Sequence, residues 1–306
     1  MIGEIFYWVL NVSILGSAAG LIVLVLRRIR VLPRFGVYLL WALPFVRLWM
    51  PVGLASKYSL LTLVSQYATK TIIVGESAPG SPGFSMTNSV QAAESYFPII
   101  YKSDLLKMVF SIAGMVWVLM AAAAVLCNVI LYVITKSTLK DAKHTKGNIY
   151  ISDKVLSPAV YGIFSPKIIL PATVSTADIN YILEHERIHI RRLDNLWRVI
   201  AVITSCVHWF NPLVWVFLKY FLTDMELACD AGVLKKLDEG GKKTYAAALL
   251  SCSAGKTYYA SAFAGAKTKL RIENILSYKK LTLASGMCFA VFFTIIVIAV
   301  MTNAAG

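Results

Sequence analysis

Three apolar runs limit what this chain can fold into: Ile5 to Leu26, Met108 to Ile134 and Leu281 to Met301. Each is long enough to cross a hydrocarbon layer of about 30 Å as a helix, which takes roughly 20 residues. A fourth run, Gly36 to Leu54, qualifies if Arg47 is accommodated within it, either by snorkelling or by pairing inside a bundle. With 58% hydrophobic and 15% charged residues and a mean hydropathy of +0.68, the chain is too apolar for an ordinary soluble domain. The expected fold is a mainly α membrane protein with four transmembrane helices.

The first run does not read as a cleavable signal, because Glu4 stands where a basic segment belongs and Arg27, Arg28, Arg30 and Arg34 follow the apolar residues instead. Four spans place the loop at 27–35 and the long segment 136–280 on one side, and together these hold all but five of the 30 Lys and Arg residues. By the positive-inside rule that side is the cytoplasm, with the N-terminus outside. The formal charge of +14 is then topological and matches anionic lipid. No aromatic-interleaved basic groove is present, so direct nucleic-acid binding is not expected.

The organisation follows: 1–56 holds the first two transmembrane helices and their basic loop, 57–107 an extracellular loop rich in Ser, Thr, Gly and Pro, 108–135 the third helix, 136–280 a cytoplasmic domain and 281–302 the fourth helix. In the cytoplasmic segment, a polar linker with a solvated His144 precedes "IYISDKVLSPAVYGIFSPKIILP", whose β-branched and aromatic residues between Gly and Pro predict two or three short strands. A helix capped by Ser175, Thr176 or Asp178 follows. The apolar stretch 196–220 predicts two helices turning at Asn211-Pro212, and Gly240-Gly241 predicts a break before another helix from about Lys243.

The helix after the strands carries His185-Glu186-Arg187-Ile188-His189. Residues four apart share a helix face, so two imidazoles can hold one ion while Glu186 stands beside them as a general base. A catalytic zinc needs a third protein ligand and one open position. Glu226 is the candidate ligand, with one Zn2+ per chain. Asp230, one turn further, suits orienting a histidine, and Asp194 is a weaker candidate for the same task or for ending the helix. His208 is a competing ligand, though beside Trp209 in an apolar run it reads more simply as a satisfied histidine. Tyr245 or a strand amide are candidates to stabilise an oxyanion. The five cysteines form no CxxC pair, so neither a disulfide nor a thiolate zinc cluster is expected.

These residues, with "SPAVYGIFSPKIILP" before them and "HWFNPLVW" and "ELACD" after, resemble the integral-membrane gluzincins of the BlaR/MecR signal-transducer family. The resemblance runs from Ser157 to Leu234 and, through the four spans, more weakly over the whole chain. The CaaX-protease type shares the histidine motif and accounts for less of the sequence. The resemblance implies a cytoplasmic α+β metalloprotease domain with a short β-sheet, zinc on His185, His189 and Glu226, Glu186 as catalytic base, and Asp230 in support. It also implies a strand near Tyr161 to Leu170, with Tyr161, Gly162 and Ile163 offered to an extended substrate.

Family members respond to an external, antibiotic or cell-wall related signal and cut themselves or act toward loss of a cytoplasmic regulator, a DNA-binding repressor. Ser261, Ala262 and Phe263 are the candidate self-cleavage region here, and a homodimer is a further candidate assembly for which no motif is readable. The sequence stops at Gly306 with no SxxK domain after the last span: either a penicillin-binding sensor domain was cut away or this member never had one, and sensing within this sequence would fall to the 55–107 loop, the spans or a partner. The rival reading is a non-catalytic zinc-containing membrane receptor or scaffold, for which Glu186 would have no use. A transporter would require broken helices or ionisable residues in several spans.

Overall fold

The computed structural model describes residues 2–29, 31–50, 55, 56, 59, 104–175, 178–253, 268–278 and 282–304. Apart from Ser59 and the first turn of the following helix, the expected 57–107 loop lies outside them, as do Thr176 and the Ser261–Phe263 region. The described chain is mainly helical, with one four-stranded sheet and one two-stranded pairing.

Three helices, α1 (Ile2–Leu26), α4 (Asp104–Thr138) and α10 (Leu283–Met301), contain stretches long and apolar enough to cross a membrane. The span in α4 is almost wholly exposed, Gly114 against α1 being a buried exception, and such a continuous apolar surface suits lipid rather than water. The fourth expected span differs from an unbroken helix. It forms α2 (Arg34–Leu40) and α3 (Ala42–Trp49), joined at Trp41. Pro44 has no N–H to give the Leu40 carbonyl, so the hydrogen-bond ladder is interrupted there. Arg47 does not snorkel but is buried in the bundle.

The α6–α7 hairpin (Asp194–Val207, Pro212–Leu234) turns at Asn211-Pro212. Asn211 accepts the Leu213 N–H at 3.0 Å, with Pro212 in the first helical position. Its amide nitrogen donates to the hydroxyls of Ser13 and Ser17 at 2.8 and 2.7 Å, so one side chain both caps α7 and docks the hairpin on α1. At the other end of the same contact, Arg27 holds Asp224 through two 2.9 Å bonds and Trp41 Nε1 adds a third at 2.8 Å. Between them Ala19, Val23, Trp41, Phe45, Phe217, Phe221 and Met225 form one apolar core.

Strands β2 (Lys143–Lys146), β3 (Ile149–Ser152), β4 (Ala159–Tyr161) and β5 (Lys167–Pro171) form a sheet in the order β2-β3-β5-β4, with β3 and β5 parallel. Separately, β1 (Ala55–Ser56) pairs with β6 (Asn303–Ala304). The single strand expected near Tyr161 to Leu170 is thus two strands. Gly162, at φ +94°, turns the chain between them, and a Cβ there would stand 2.7 Å from the Ser165 carbonyl oxygen.

Helix α5 (Ile179–Arg191) carries the histidine motif. Asp178 precedes it, but its side chain makes no capping bond and instead accepts from Ser251 at 3.3 Å. Helix α8 (Glu239–Ser253) includes Gly240-Gly241 where a break was expected. Asp238 accepts the Gly241 N–H at 2.8 Å, so the glycines form the capped first turn. Helix α9 (Thr268–Leu276) packs on α7 and α8. All five cysteines are free.

Gly20 of α1 sets the approach of that helix to α7: an added Cβ would lie 2.2 Å from the ring of the fully buried Phe217. Overpacking of this kind costs about 1–3 kcal/mol. Gly20→Leu is expected to lower the melting temperature of the detergent-solubilised protein, whereas an unchanged melt would mean that the two helices do not meet there.

Candidate metal centre

Helix α5 points His185 and His189 to one side, as the four-residue spacing requires. Their Nε2 atoms face each other at 3.1 Å. Two ligand nitrogens roughly 2.0–2.1 Å from one tetrahedral ion stand about 3.3 Å apart, so this separation suits a shared cation. From α7, Glu226 brings Oε2 to 3.5 Å from His185 Nε2 and Oε1 to 3.8 Å from His189 Nε2. Cys229, one turn along, adds a buried sulfur: His185, His189 and Cys229 each offer a ligand atom, all within 4.8 Å of one another. That thiol already donates to the His185 carbonyl at 3.2 Å. The donor set of imidazole, carboxylate and thiol suits a borderline metal such as zinc.

The far nitrogen of each imidazole is also held. His189 Nδ1 lies 2.7 Å from Asp194 Oδ2. In a continuous helix a residue five positions on would face elsewhere. Here Leu193 adopts φ +55° between α5 and α6, and this left-handed residue turns Asp194 back toward His189. His185 Nδ1 lies 2.9 Å from Tyr245 Oη, which donates to Asp230 Oδ1 at 2.6 Å. With Nδ1 carrying the proton on each ring, both Nε2 lone pairs are free for an ion. Tyr245 is therefore engaged behind His185 and is not placed as an oxyanion donor.

Arg271 of α9 closes the cluster. Its Nε and NH2 donate to the two oxygens of Asp230 at 2.8 and 2.7 Å, and NH1 lies 3.3 Å from Glu226 Oε2. NH2 also comes within 3.3 Å of His185 Nε2. Burial opposes ionisation of both Asp230 and Glu226, but Arg271 at the first and His189, His185 and Arg271 at the second outweigh it and hold both carboxyls well below the usual range. Burial likewise opposes charge on His185 and His189. Cys229, when ionised and so no longer a donor to the His185 carbonyl, and the surrounding carboxylates overcome it and raise both imidazoles well above their ordinary value.

Glu186 is buried next to this cluster. Burial pushes the Tyr161 phenol up, with Arg198 and Glu186 near enough to act on it, so β4 borders the same site. Asn195, next to Asp194, donates to the carbonyls of Val160 and Gly162, both at 3.0 Å. Ile168 N bonds toward β3, to Asn148 O, so residues 159 and 161 of β4 face β5 and 160 and 162 face its outer edge. The strand ends at Tyr161; Gly162 and Ile163 belong to the turn. His208 bonds the Leu48 carbonyl at 3.2 Å and takes no part in the cluster.

Sequence reasoning left out Arg271, Cys229 and Tyr38, whose hydroxyl donates to Asp194 Oδ1 at 2.9 Å. Cys229 was legible in principle, three residues after Glu226 on the same helical face. An isolated Arg or Tyr far along the chain carries no such signal.

A histidine pair with a carboxylate facing both Nε2 atoms, in a chain with helices long and apolar enough to cross a membrane, has the make-up of a metallopeptidase-type centre. The chain matches the family described as BlaR1 peptidase M56 over residues 7–275 and belongs to it. It is 31% identical to the regulatory protein BlaR1 of Bacillus licheniformis over 170 residues, covering 52% of this chain and 28% of that one. It is 30% identical to the methicillin resistance mecR1 protein of Staphylococcus aureus over 112 residues, covering 35% and 19%. The aligned part is thus under a third of the length of these relatives.

The carboxylates around both imidazoles favour their charged form, so an ion that binds Nε2 competes there with protons. Calorimetry at pH 7 in two buffers of different ionisation enthalpy is expected to show net proton release, with affinity falling from pH 8 to 6. For the ion-free fold the sign reverses: raised pKa values stabilise fully below about 6.5 and this contribution is lost as pH rises through the folded values. Metal uptake without proton release would show that the imidazoles are already neutral.

Proposed function

We propose that this protein is a zinc endopeptidase of a membrane signal-transduction system, with His185, His189 and Glu226 as zinc ligands and Glu186 as general base. The observation that carries the reading is the convergence of two Nε2 atoms 3.1 Å apart with the Glu226 carboxylate 3.5 and 3.8 Å from them, each imidazole backed by a carboxylate-linked partner. Glu226 is preferred to Cys229 as third ligand because its oxygens approach both Nε2 atoms, while the thiol is bonded to a backbone carbonyl. Zinc, when bound, supplies Lewis-acid polarisation of a carbonyl and lowers the pKa of water to about 7.

The chain's own groups do the rest. Glu186 takes a proton from the attacking water as the new C–O bond forms and returns it to the amine nitrogen as the C–N bond breaks, so no net proton is consumed. Asp194 and the Tyr245–Asp230 pair hold the imidazoles in the tautomer that leaves Nε2 free. The outer edge of β4 next to Tyr161 is the proposed place for an extended substrate; Asn195 already engages the outward carbonyls of Val160 and Gly162, which leaves the outward N–H groups to pair.

In this reading α2 and α3 together make a fourth crossing beside α1, α4 and α10, with the N-terminus outside and 136–280 in the cytoplasm of a bacterial-type cell, in contact with a regulatory protein such as a DNA-binding repressor. The segment around Ser261, Ala262 and Phe263 is the proposed site of self-cleavage. It connects α8 with α9, whose Tyr245 and Arg271 both reach the metal cluster.

The test compares detergent-purified wild type and Glu186→Gln for metal by mass spectrometry and for fragments on one gel. About one zinc per chain in both is expected, with cleavage reduced roughly 10²–10⁴-fold in the variant. Zinc in both with identical intact chains would favour the non-catalytic receptor, and no zinc in wild type would overturn the metal assignment.

A further inference from the structure

The two carboxylates behind the histidines are held in large part from outside α5, the helix that carries the motif. Asp194 Oδ1 accepts the Tyr38 hydroxyl at 2.9 Å while Oδ2 faces His189 Nδ1 at 2.7 Å. Tyr38 lies in α2, which follows the apolar helix α1. Its ring stacks on Phe221 at 5.7 Å and lies under the Arg192 guanidinium, 4.3 Å from the centroid. Arg192 NH2 is also 3.2 Å from Asp194 Oδ2. On the other side, Arg271 grips both oxygens of Asp230 and reaches Glu226 Oε2 at 3.3 Å. Arg271 lies in α9, and a short connection leads from α9 to the apolar helix α10.

These contacts place Tyr38 one hydrogen bond behind the carboxylate that holds His189, and bring Arg271 to 3.3 Å from Glu226 and from His185 themselves. A carboxylate that loses a charged or hydroxyl donor when buried either relaxes toward another partner or holds its imidazole less firmly. The guanidinium fork can bridge two carboxylates in one plane, which an ammonium cannot.

We propose that Tyr38 and Arg271 are positioning residues of the metal centre, tying His189 to α1–α2 and His185 with Glu226 to α9–α10. The inference rests on the reading that an ion binds these ligands. It adds that the hold on the ion depends on both membrane-linked segments. By thermodynamic reciprocity, metal binding also steadies α2 and α9.

Full-length wild type, Tyr38→Phe, Arg271→Lys and Arg271→Gln are loaded with zinc in detergent, and transfer of the ion to a chromophoric chelator is timed. Tyr38→Phe keeps the stack and removes only the hydroxyl, so it remains informative if an Arg271 variant fails to fold. Tyr38→Phe and Arg271→Gln are each expected to release zinc about 10–100-fold faster than wild type, with Arg271→Lys between, at unchanged elution volume. The visible spectrum of the cobalt-loaded Arg271 variants is expected to shift, a change that general loss of packing would not produce. Amide exchange across 34–41 and 268–276 in wild type is expected to slow on metal loading.

Release within about twofold of wild type in folded Tyr38→Phe and Arg271→Lys would overturn the inference while leaving the metal site intact. A wild type that takes up no zinc would overturn both.

Discussion

Buried carboxylates set the constraints that this structure must satisfy. Asp194, Asp224 and Asp230 are all buried, and an unpaired ion in such a place costs several kcal/mol. None is neutralised by its own helix alone. Asp224 on α7 takes Arg27 and Trp41, Asp194 on α6 takes Tyr38, and Asp230 on α7 takes Tyr245 and Arg271. Meeting these requirements brings the end of α1, all of α2, and α8 and α9 against the same pair of helices. The apolar core supplies contact area without direction, and the carboxylates specify which residues face one another.

The same constraints put chemistry beside the membrane-linked elements. Helix α7 begins in the apolar core against α1 and α2 and ends as a wall of the metal cluster, with Phe217 and Phe221 near one end and Glu226, Cys229 and Asp230 near the other. A rigid helix spanning both regions leaves little freedom between them. In a member of the BlaR1 peptidase M56 family, whose relatives include regulatory proteins of resistance, such continuity gives a direct physical route between apolar helices and a cluster of ligating side chains.

Local stereochemistry accounts for two further features. Leu193, in the left-handed region, allows two helices to meet so that residue 194 faces residue 189. Gly162, also at positive φ, ends β4 next to Glu186's side of the site and keeps the strand short. Both are single-residue devices with consequences for the geometry of the site.

Much of this was present in the one-dimensional pattern. Apolar runs of sufficient length dictated α1, α4 and α10, because hydrophobic length and helix rise are both local quantities. The four-residue spacing put His185 and His189 on one face for the same reason, and Asn211-Pro212 marked a helix start through its own chemistry. Where local cues competed, the sequence misled: Asp238 captured the Gly240-Gly241 turn into a helix, Pro44 divided the second apolar run, and Gly162 split an expected strand. Only the tertiary structure decided that Tyr38, Arg271 and Cys229 join the centre and that Tyr245 stands behind His185. Their partners lie 156, 41, 44 and 60 residues away. Pairings at that distance are set by which buried polar and charged groups need partners once the helices pack, a condition that no local periodicity encodes.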